Sequence, residues 1–333
     1  MKNNVIYAVV AICVMMMTSC EKVIYLGKDD IKIMTVVNAI LYADSTAVVN
    51  VTRSKSIVDY SPENYHGEDA EVSLYVNGDF VEKLTFLDGR FKGNHVLRQG
   101  DEVRIEVERP DAQTAVAQTY IPMAAEIVGM RMDSVETSLF SDFYVPGSFE
   151  YDSVQDVWVL SWCHDIHADH IVDATMHFSI TVQDGTQGGD YYRLCDLAPT
   201  HNYSGQLSST DTIIASYTNS NAWGFEESFN NKYMVYDDRL INGELYTVHV
   251  DALYAYSGYK DGFINLLNQN PLSVSLCTIS RDYYYYAVSL NKYENQGFNL
   301  FAEPIQVYSN VENGVGVVCG ACARKVTLDM LGN

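Results

Sequence analysis

The chain has 333 residues, of which 43 are Asp or Glu and 21 are Lys or Arg, for a formal charge of −22. A field of that sign repels phosphate, so no nucleic acid is expected as a partner. With 47% apolar and 19% charged residues the chain can bury a core, and 25 Tyr beside only 7 Pro weight it toward strands rather than disorder.

Residues 1–19 read as a lipoprotein signal peptide. Lys2 supplies the positive start, Val5 to Met17 is almost unbroken apolar sequence, and Met17-Thr18-Ser19-Cys20 sets small residues before a cysteine in the manner of a lipobox. The apolar run is shorter than the ~20 residues that span a bilayer, which argues against a lone transmembrane anchor. Cys20 is then the lipidation site, carrying acyl chains such as palmitate. Several such chains hold a membrane firmly, because each buried methylene adds about 0.8 kcal/mol. Residues 20–30 form the lipidated linker.

Residues 31–123 predict a β-sandwich of the immunoglobulin-like kind. Val72, Leu74 and Val76 alternate with polar neighbours, Asn77-Gly78 supplies a tight hairpin turn, and Phe80 to Phe86 returns. Val103, Ile105 and Val107 alternate in the same way after the Gly100-Asp101 turn. Ile33 to Leu41, Ala47 to Arg53 and Gln113 to Ile121 complete a set of about seven short strands. No acid pair or nucleophile stands out, so this part reads as a spacer or docking module.

Residues 124–333 predict a larger β-rich domain with one C-terminal helix. Val157 to Cys163 is apolar on both faces, as an interior strand would be. In Thr175 to Thr181, Met176, Phe178 and Ile180 are expected to point inward. Asp184-Gly185 and Gly188-Gly189 turn the chain into Tyr191 to Cys195, and Leu245 to Leu253 with Leu272 to Ile279 reads as a strand pair. Thr200 to Asp238 is rich in Asn and Ser and reads as a surface excursion. Ser280 caps a helix through Asn291, with Asp282 at its positive end. Tyr283, Tyr284, Tyr285 and Tyr286 wrap about 300° of that helix at ~100° per residue, so at least one ring must reach solvent, a ligand or a partner.

Two further clusters carry chemistry. His164, His167 and His170, with Asp165 and Asp169 between them, could close round a borderline ion such as Zn²⁺ or Cu²⁺ with His177 or His201 as fourth ligand. Their spacing suits neither one helix face nor one strand face, and a solvated polar loop is the plainer reading. Cys319-Gly320-Ala321-Cys322 has redox-dithiol spacing, but its flanks alternate like a strand where a reactive pair needs a helix N-terminus. A structural disulfide between Cys319 and Cys322, or a packed thiol pair, is expected instead. Cys163, Cys195, Cys277, Cys319 and Cys322 make an odd number, so at least one stays unpaired. Metalloprotease, nucleophile-elbow, phosphate-loop and dinucleotide motifs are missing from the sequence, and no enzyme activity is expected.

Several segments together resemble one family, the outer-membrane lipoproteins of domain-of-unknown-function family 4249. They are Cys20 and Thr35-Val36-Val37-Asn38-Ala39, Thr119-Tyr120-Ile121-Pro122, Asp184-Gly185 through Asp190-Tyr191-Tyr192-Arg193-Leu194, and Asp238-Arg239-Leu240-Ile241-Asn242-Gly243-Glu244-Leu245-Tyr246. Ile279-Ser280-Arg281-Asp282-Tyr283-Tyr284, Glu303-Pro304-Ile305 and Tyr308-Ser309-Asn310-Val311-Glu312-Asn313-Gly314-Val315-Gly316 close the likeness. The Cys319/Cys322 pair and the histidine loop stand outside that pattern. The resemblance implies an outer membrane location, lipid-anchored on the cell surface or periplasmic face. It also implies a non-catalytic accessory, capturing a ligand or docking, of a TonB-dependent nutrient uptake system whose transporter is the partner. A structural or adhesive surface protein is the alternative, and a metal-dependent hydrolase a more distant one.

Overall fold

The strands begin where apolar and polar residues alternate. Thr35–Tyr42, Thr46–Arg53, Glu71–Val76, Glu102–Glu108 and Ala115–Tyr120 each bury every second side chain, because successive residues of a strand face opposite ways. This computed structural model describes residues 33–55, 67–139, 149–152, 157–160, 170–185, 189–195, 207–215, 218–220, 226–228, 231–259, 273–295 and 305–327. Cys20 and its linker lie outside the described residues.

The molecule is mainly β, and its spine is an eight-stranded sheet. Its strands run in the order Val235–Asp237, Tyr191–Cys195, Ser273–Ile279, Gly314–Thr327, Thr35–Tyr42, Thr46–Arg53, Arg90–Val96 and Thr85–Leu87. A five-stranded sheet in the order Val311–Glu312, Ala115–Tyr120, Glu102–Glu108, Glu71–Val76 and Asp79–Lys83 covers one end of the spine. Between them lies an aliphatic core that includes Leu41, Val49, Leu74, Leu97, Ile105 and Val318. Each fully buried side chain of that kind contributes about 1.5–3 kcal/mol. This pair of sheets is the expected sandwich.

A four-stranded sheet in the order Leu207–Ser208, Leu245–Tyr259, His170–Gln183 and Glu126–Leu139 covers the other end. Its inward Met176, Phe178, Ile180 and Val182 meet Tyr192, Leu194, Tyr236 and Leu276 of the spine. Strand register shows that both covering sheets share one face of the spine. Leu276 pairs with Arg324 and Thr278 with Cys322, which places the even positions of Gly314–Thr327 on the same side as buried Val318. The odd positions Val317, Cys319 and Ala321 turn to the opposite face, where the helix Arg281–Asn295 packs on them.

Several sequence expectations are corrected by this arrangement. A boundary after residue 123 does not isolate the sandwich, because Gly314–Thr327 from the far end of the chain pairs in parallel with Thr35–Tyr42, from Thr35↔Gly314 to Tyr42↔Ala321. Leu245–Tyr259 and Ser273–Ile279 are strands but not partners: the first pairs with His170–Gln183, the second with Tyr191–Cys195 and Gly314–Thr327. The excursion from Thr200 ends in the core, since Met234, Val235 and Tyr236 are buried. Arg90–Val96 was not expected as a strand. The Asp88-Gly89 turn that leads into it has positive φ at both residues, like Asn77-Gly78.

Candidate functional site

Ser280 starts the helix by two routes. Its carbonyl accepts from the Tyr284 N–H at 3.1 Å, and its Oγ accepts from the Tyr283 and Gly320 N–H groups at 3.4 and 3.0 Å. One hydroxyl thus caps the helix and ties it to the spine. Asp282 at the positive helix end accepts from the Tyr308 hydroxyl at 2.8 Å and from Thr119 Oγ1 at 3.1 Å. Burial, then Asp282, push the Tyr308 phenol up to about 12, so it remains a donor at neutral pH.

The four consecutive tyrosines separate as helix geometry demands. Tyr283 and Tyr284 are buried at 5% and 6% exposure, Tyr286 is half-buried, and Tyr285 stands out at 38%. Tyr283 receives a hydrogen bond from Arg193, and Tyr284 donates to Asp237 at 3.1 Å. The ring of Tyr284 lies 4.7 Å from Tyr191. Tyr285 is the exposed edge of the same aromatic cluster, its ring 5.6 Å from Tyr284 and 6.4 Å from Tyr191. Its ring lies 5.8 Å from Tyr308 and 5.3 Å from the Arg281 guanidinium, a distance at which a cation is drawn to the ring face.

Beside Tyr285 runs an open groove of about 480 Å³. One wall is the helix stripe Tyr285, Val288, Ser289 and Lys292, and the other is residues 305–309. The stripe has i, i+3, i+4, i+7 spacing, which puts all four side chains on one helix face. Ser289 joins the walls: its Oγ donates to the Tyr286 carbonyl at 2.9 Å and accepts from the Tyr308 N–H at 2.8 Å. That stripe could be read in the sequence, but its facing wall could not.

A second constellation emerged from the fold. Carboxylate oxygens of Asp184, Asp190 and Asp238 come within 4.8 Å of one another. Asp184 accepts from the Tyr192 hydroxyl and from the Gly243 N–H, and Asp238 accepts from the N–H groups of Gly189 and Asp190 at 2.7 and 3.0 Å. Burial, then the two neighbouring carboxylates, raise Asp190 to about 6. An all-oxygen donor set suits a hard cation such as Ca²⁺ better than Zn²⁺. Two of the three acids already staple turns, however, so their first role is structural. The signal was present in the sequence, since all three lie in segments that carry the family resemblance.

The other sequence candidates separate as follows. His164 and His167 lie outside the described residues, as does His201. His170 opens a strand whose first side chains are likewise not described, so the Zn²⁺ or Cu²⁺ reading stays an expectation. His177 is engaged elsewhere, with Nδ1 2.7 Å from Asp251 Oδ1. The expected Cys319–Cys322 disulfide is corrected: both thiols are free and buried. They are three residues apart on one strand and therefore face opposite ways, with Cys319 under the helix and Cys322 opposite Thr278. At ~3.3 Å per residue their Cα atoms are too far apart for a bridge. Burial pushes the Cys319 thiol well up, which keeps it unreactive.

No curated protein matches the chain. The family model described as Domain of unknown function (DUF4249) matches residues 28–326, taking in both covering sheets, the spine and the helix, and the chain belongs to that family.

Proposed function

We propose that the protein is a lipid-anchored, non-catalytic accessory of a TonB-dependent outer-membrane uptake system. It is tethered through Cys20 and uses the face around Tyr285 to dock on its transporter or to hold a ligand. The observation that supports the docking side of this reading is the exposed Tyr285–Tyr308–Arg281 surface along an open groove. Tyrosine gives large contact area with a polar tip at small entropy cost, and with arginine it is enriched at interface centres. A deep closed cavity would argue for ligand capture, whereas an open groove favours contact with another protein.

The anchor supplies the test. Cys20→Ala in the full chain is expected to give an uncut precursor or a species released from membranes, read by fractionation and intact mass. A processed and fully membrane-retained Cys20→Ala protein would overturn the tether, and with it the proposed location.

A further inference from the structure

We propose that the groove between the helix Arg281–Asn295 and residues 305–309 is a docking site for an extended acidic segment of a partner protein. The idea deepens the docking reading and rests on it only for which protein supplies the segment.

Three features point to that occupant. The first is backbone. Residues 305–307 belong to no helix, strand or turn, and among the described residues their N–H and carbonyl groups have no hydrogen-bond partner. Main-chain donors and acceptors without a partner among the described residues can be satisfied by an added strand, the mode in which main-chain bonds supply affinity and alternate side chains supply specificity. The wall is held in place, because Ser289 binds the Tyr308 N–H at 2.8 Å and Asn310 bonds the Val318 carbonyl at 2.8 Å.

The second feature is charge. Lys292 lines the groove, and Arg281 lies against its Tyr285 wall. Neither has a carboxylate partner among the described residues, whereas Lys83, Lys92 and Lys232 pair with Glu71, Asp88 and Glu294. Arg281 instead engages the Tyr285 side chain. The nearby carboxylate of Asp282 has both oxygens engaged, by Tyr308 and Thr119, so the two cations without an acid partner among the described residues leave this groove complementary to negative charge. The overall charge does not forbid this, since screening over about 8 Å at physiological salt leaves only the nearby cations to act.

The third feature is shape. Val288, Ile305 and Val307 offer apolar contact between the polar groups, as a strand with alternating side chains requires. A flat sugar ring would use the Tyr285 ring but would leave the backbone groups of 305–307 unmatched.

The test uses the mature full chain in detergent and a fluorescein-labelled decapeptide alternating Glu with Val and Thr, followed by anisotropy. Binding is expected at about 10–100 µM, weakened about tenfold by Lys292→Glu and again by N-methylation of alternate peptide nitrogens. Arg90→Glu, on the strand Arg90–Val96 near the far end of the spine, should leave it unchanged. Should Lys292→Glu fold poorly, Arg281→Gln provides the same reading. Equal binding of a Lys-for-Glu peptide, indifference to N-methylation, or stronger competition by polygalacturonate than by unlabelled peptide would each overturn the proposal. Peptide binding without any transporter association would defeat the uptake reading and leave the groove. Transporter co-purification that survives Lys292→Glu while peptide binding is lost would defeat the groove as the docking site.

Discussion

The two ends of the spine are packed by different chemistry. Under the five-stranded sheet the core is apolar and largely aliphatic, with Leu41, Val49, Leu74, Leu97 and Ile105 filling it beside the hydroxyl-free ring of Phe91. Under the four-stranded sheet, aromatic rings with hydroxyls enter: Tyr192, Tyr236 and Tyr246 are buried, Tyr236 and Tyr246 share a 2.9 Å hydroxyl bond, and Tyr192 donates to Asp184. An aliphatic core is tolerant of like-for-like exchange. A hydrogen-bonded aromatic core penalises any loss of a partner, because a buried polar group left alone costs its desolvation. The first end should therefore yield to steric insult and the second to polar insult.

The largest expected effect comes where the ends are joined. At Gly320 a Cβ would collide with the Tyr120 carbonyl, and both neighbouring strands belong to sheets that cannot move apart freely. Gly320→Ala should lose about 3 kcal/mol or more, measured by urea unfolding of the mature chain. Because the spine runs through both cores, one transition rather than two is expected in the wild type. Two separated transitions would show that the ends fold independently and that the shared sheet couples them weakly.

Tyr192→Phe tests the polar end. It removes the donor to Asp184, a buried carboxylate that then keeps only the Gly243 N–H on its other oxygen. A loss of about 2 kcal/mol is expected, against under about 1 kcal/mol for Leu74→Met at the aliphatic end. Similar losses at the two positions would erase the contrast.

The contrast also explains what could be read from the sequence. Alternation made the sandwich strands visible because each buries one clean apolar face, and the breaker-free run after Ser280 made the helix visible. What closes the sandwich was hidden. Gly314–Thr327 pairs with Thr35–Tyr42 across 279 positions, as in the Val317–Asn38 contact, and no local pattern announces a parallel partner that distant. The family-like segment from Asn310 to Gly316 turns out to be its fastening. Asn310 bonds Gln118 and Val318, and Asn313 takes a positive φ. At Gly316, also at positive φ, a Cβ would meet the Val37 carbonyl. In the second half, strand pairing misled because neighbouring strands in sequence join different sheets. The acid cluster was missed as a unit because it forms only when the turns near Asp184 and Asp238 meet.

Asp190→Asn should act in the opposite direction to the first two changes. Asp190 titrates near 6 when folded, against an ordinary 3.8. A carboxyl whose folded pKa is raised contributes stability that is full below about pH 4 and is lost as pH rises through 6. Above that, its charge faces Asp184 and Asp238. The Asn variant should be more stable than wild type at pH 7.5 by about 1 kcal/mol, the shift being discounted because the group is partly exposed. Between pH 7.5 and 4.5 the advantage should vanish. An advantage that persists at pH 4.5, measured by thermal melts across that range, would mean that the half-buried charge of Asp190 is not its source.

Tyr285→Ala should cost the fold least and reveal the most about use. Its neighbours Tyr283 and Tyr284 are core residues, tied to Arg193 and Asp237, and their truncation would lower stability for reasons unrelated to any partner. Tyr285 is the exposed member of the same run, touching Tyr308 and Arg281 at the surface and the rings of Tyr284 and Tyr191 at its inner edge. Surface ring pairs and cation–π contacts of that kind are worth on the order of 0.5 kcal/mol. The melting temperature should therefore fall by only a few degrees. If the face docks on a transporter, co-purification should fall severalfold in Tyr285→Ala while Tyr293→Ala, a still more exposed ring near the end of the helix, changes little. Equal retention in both variants would leave Tyr285 as a rim residue of the helix core. A large fall in melting temperature would assign it to the polar, interlocked style of packing that Tyr192 and Tyr236 represent.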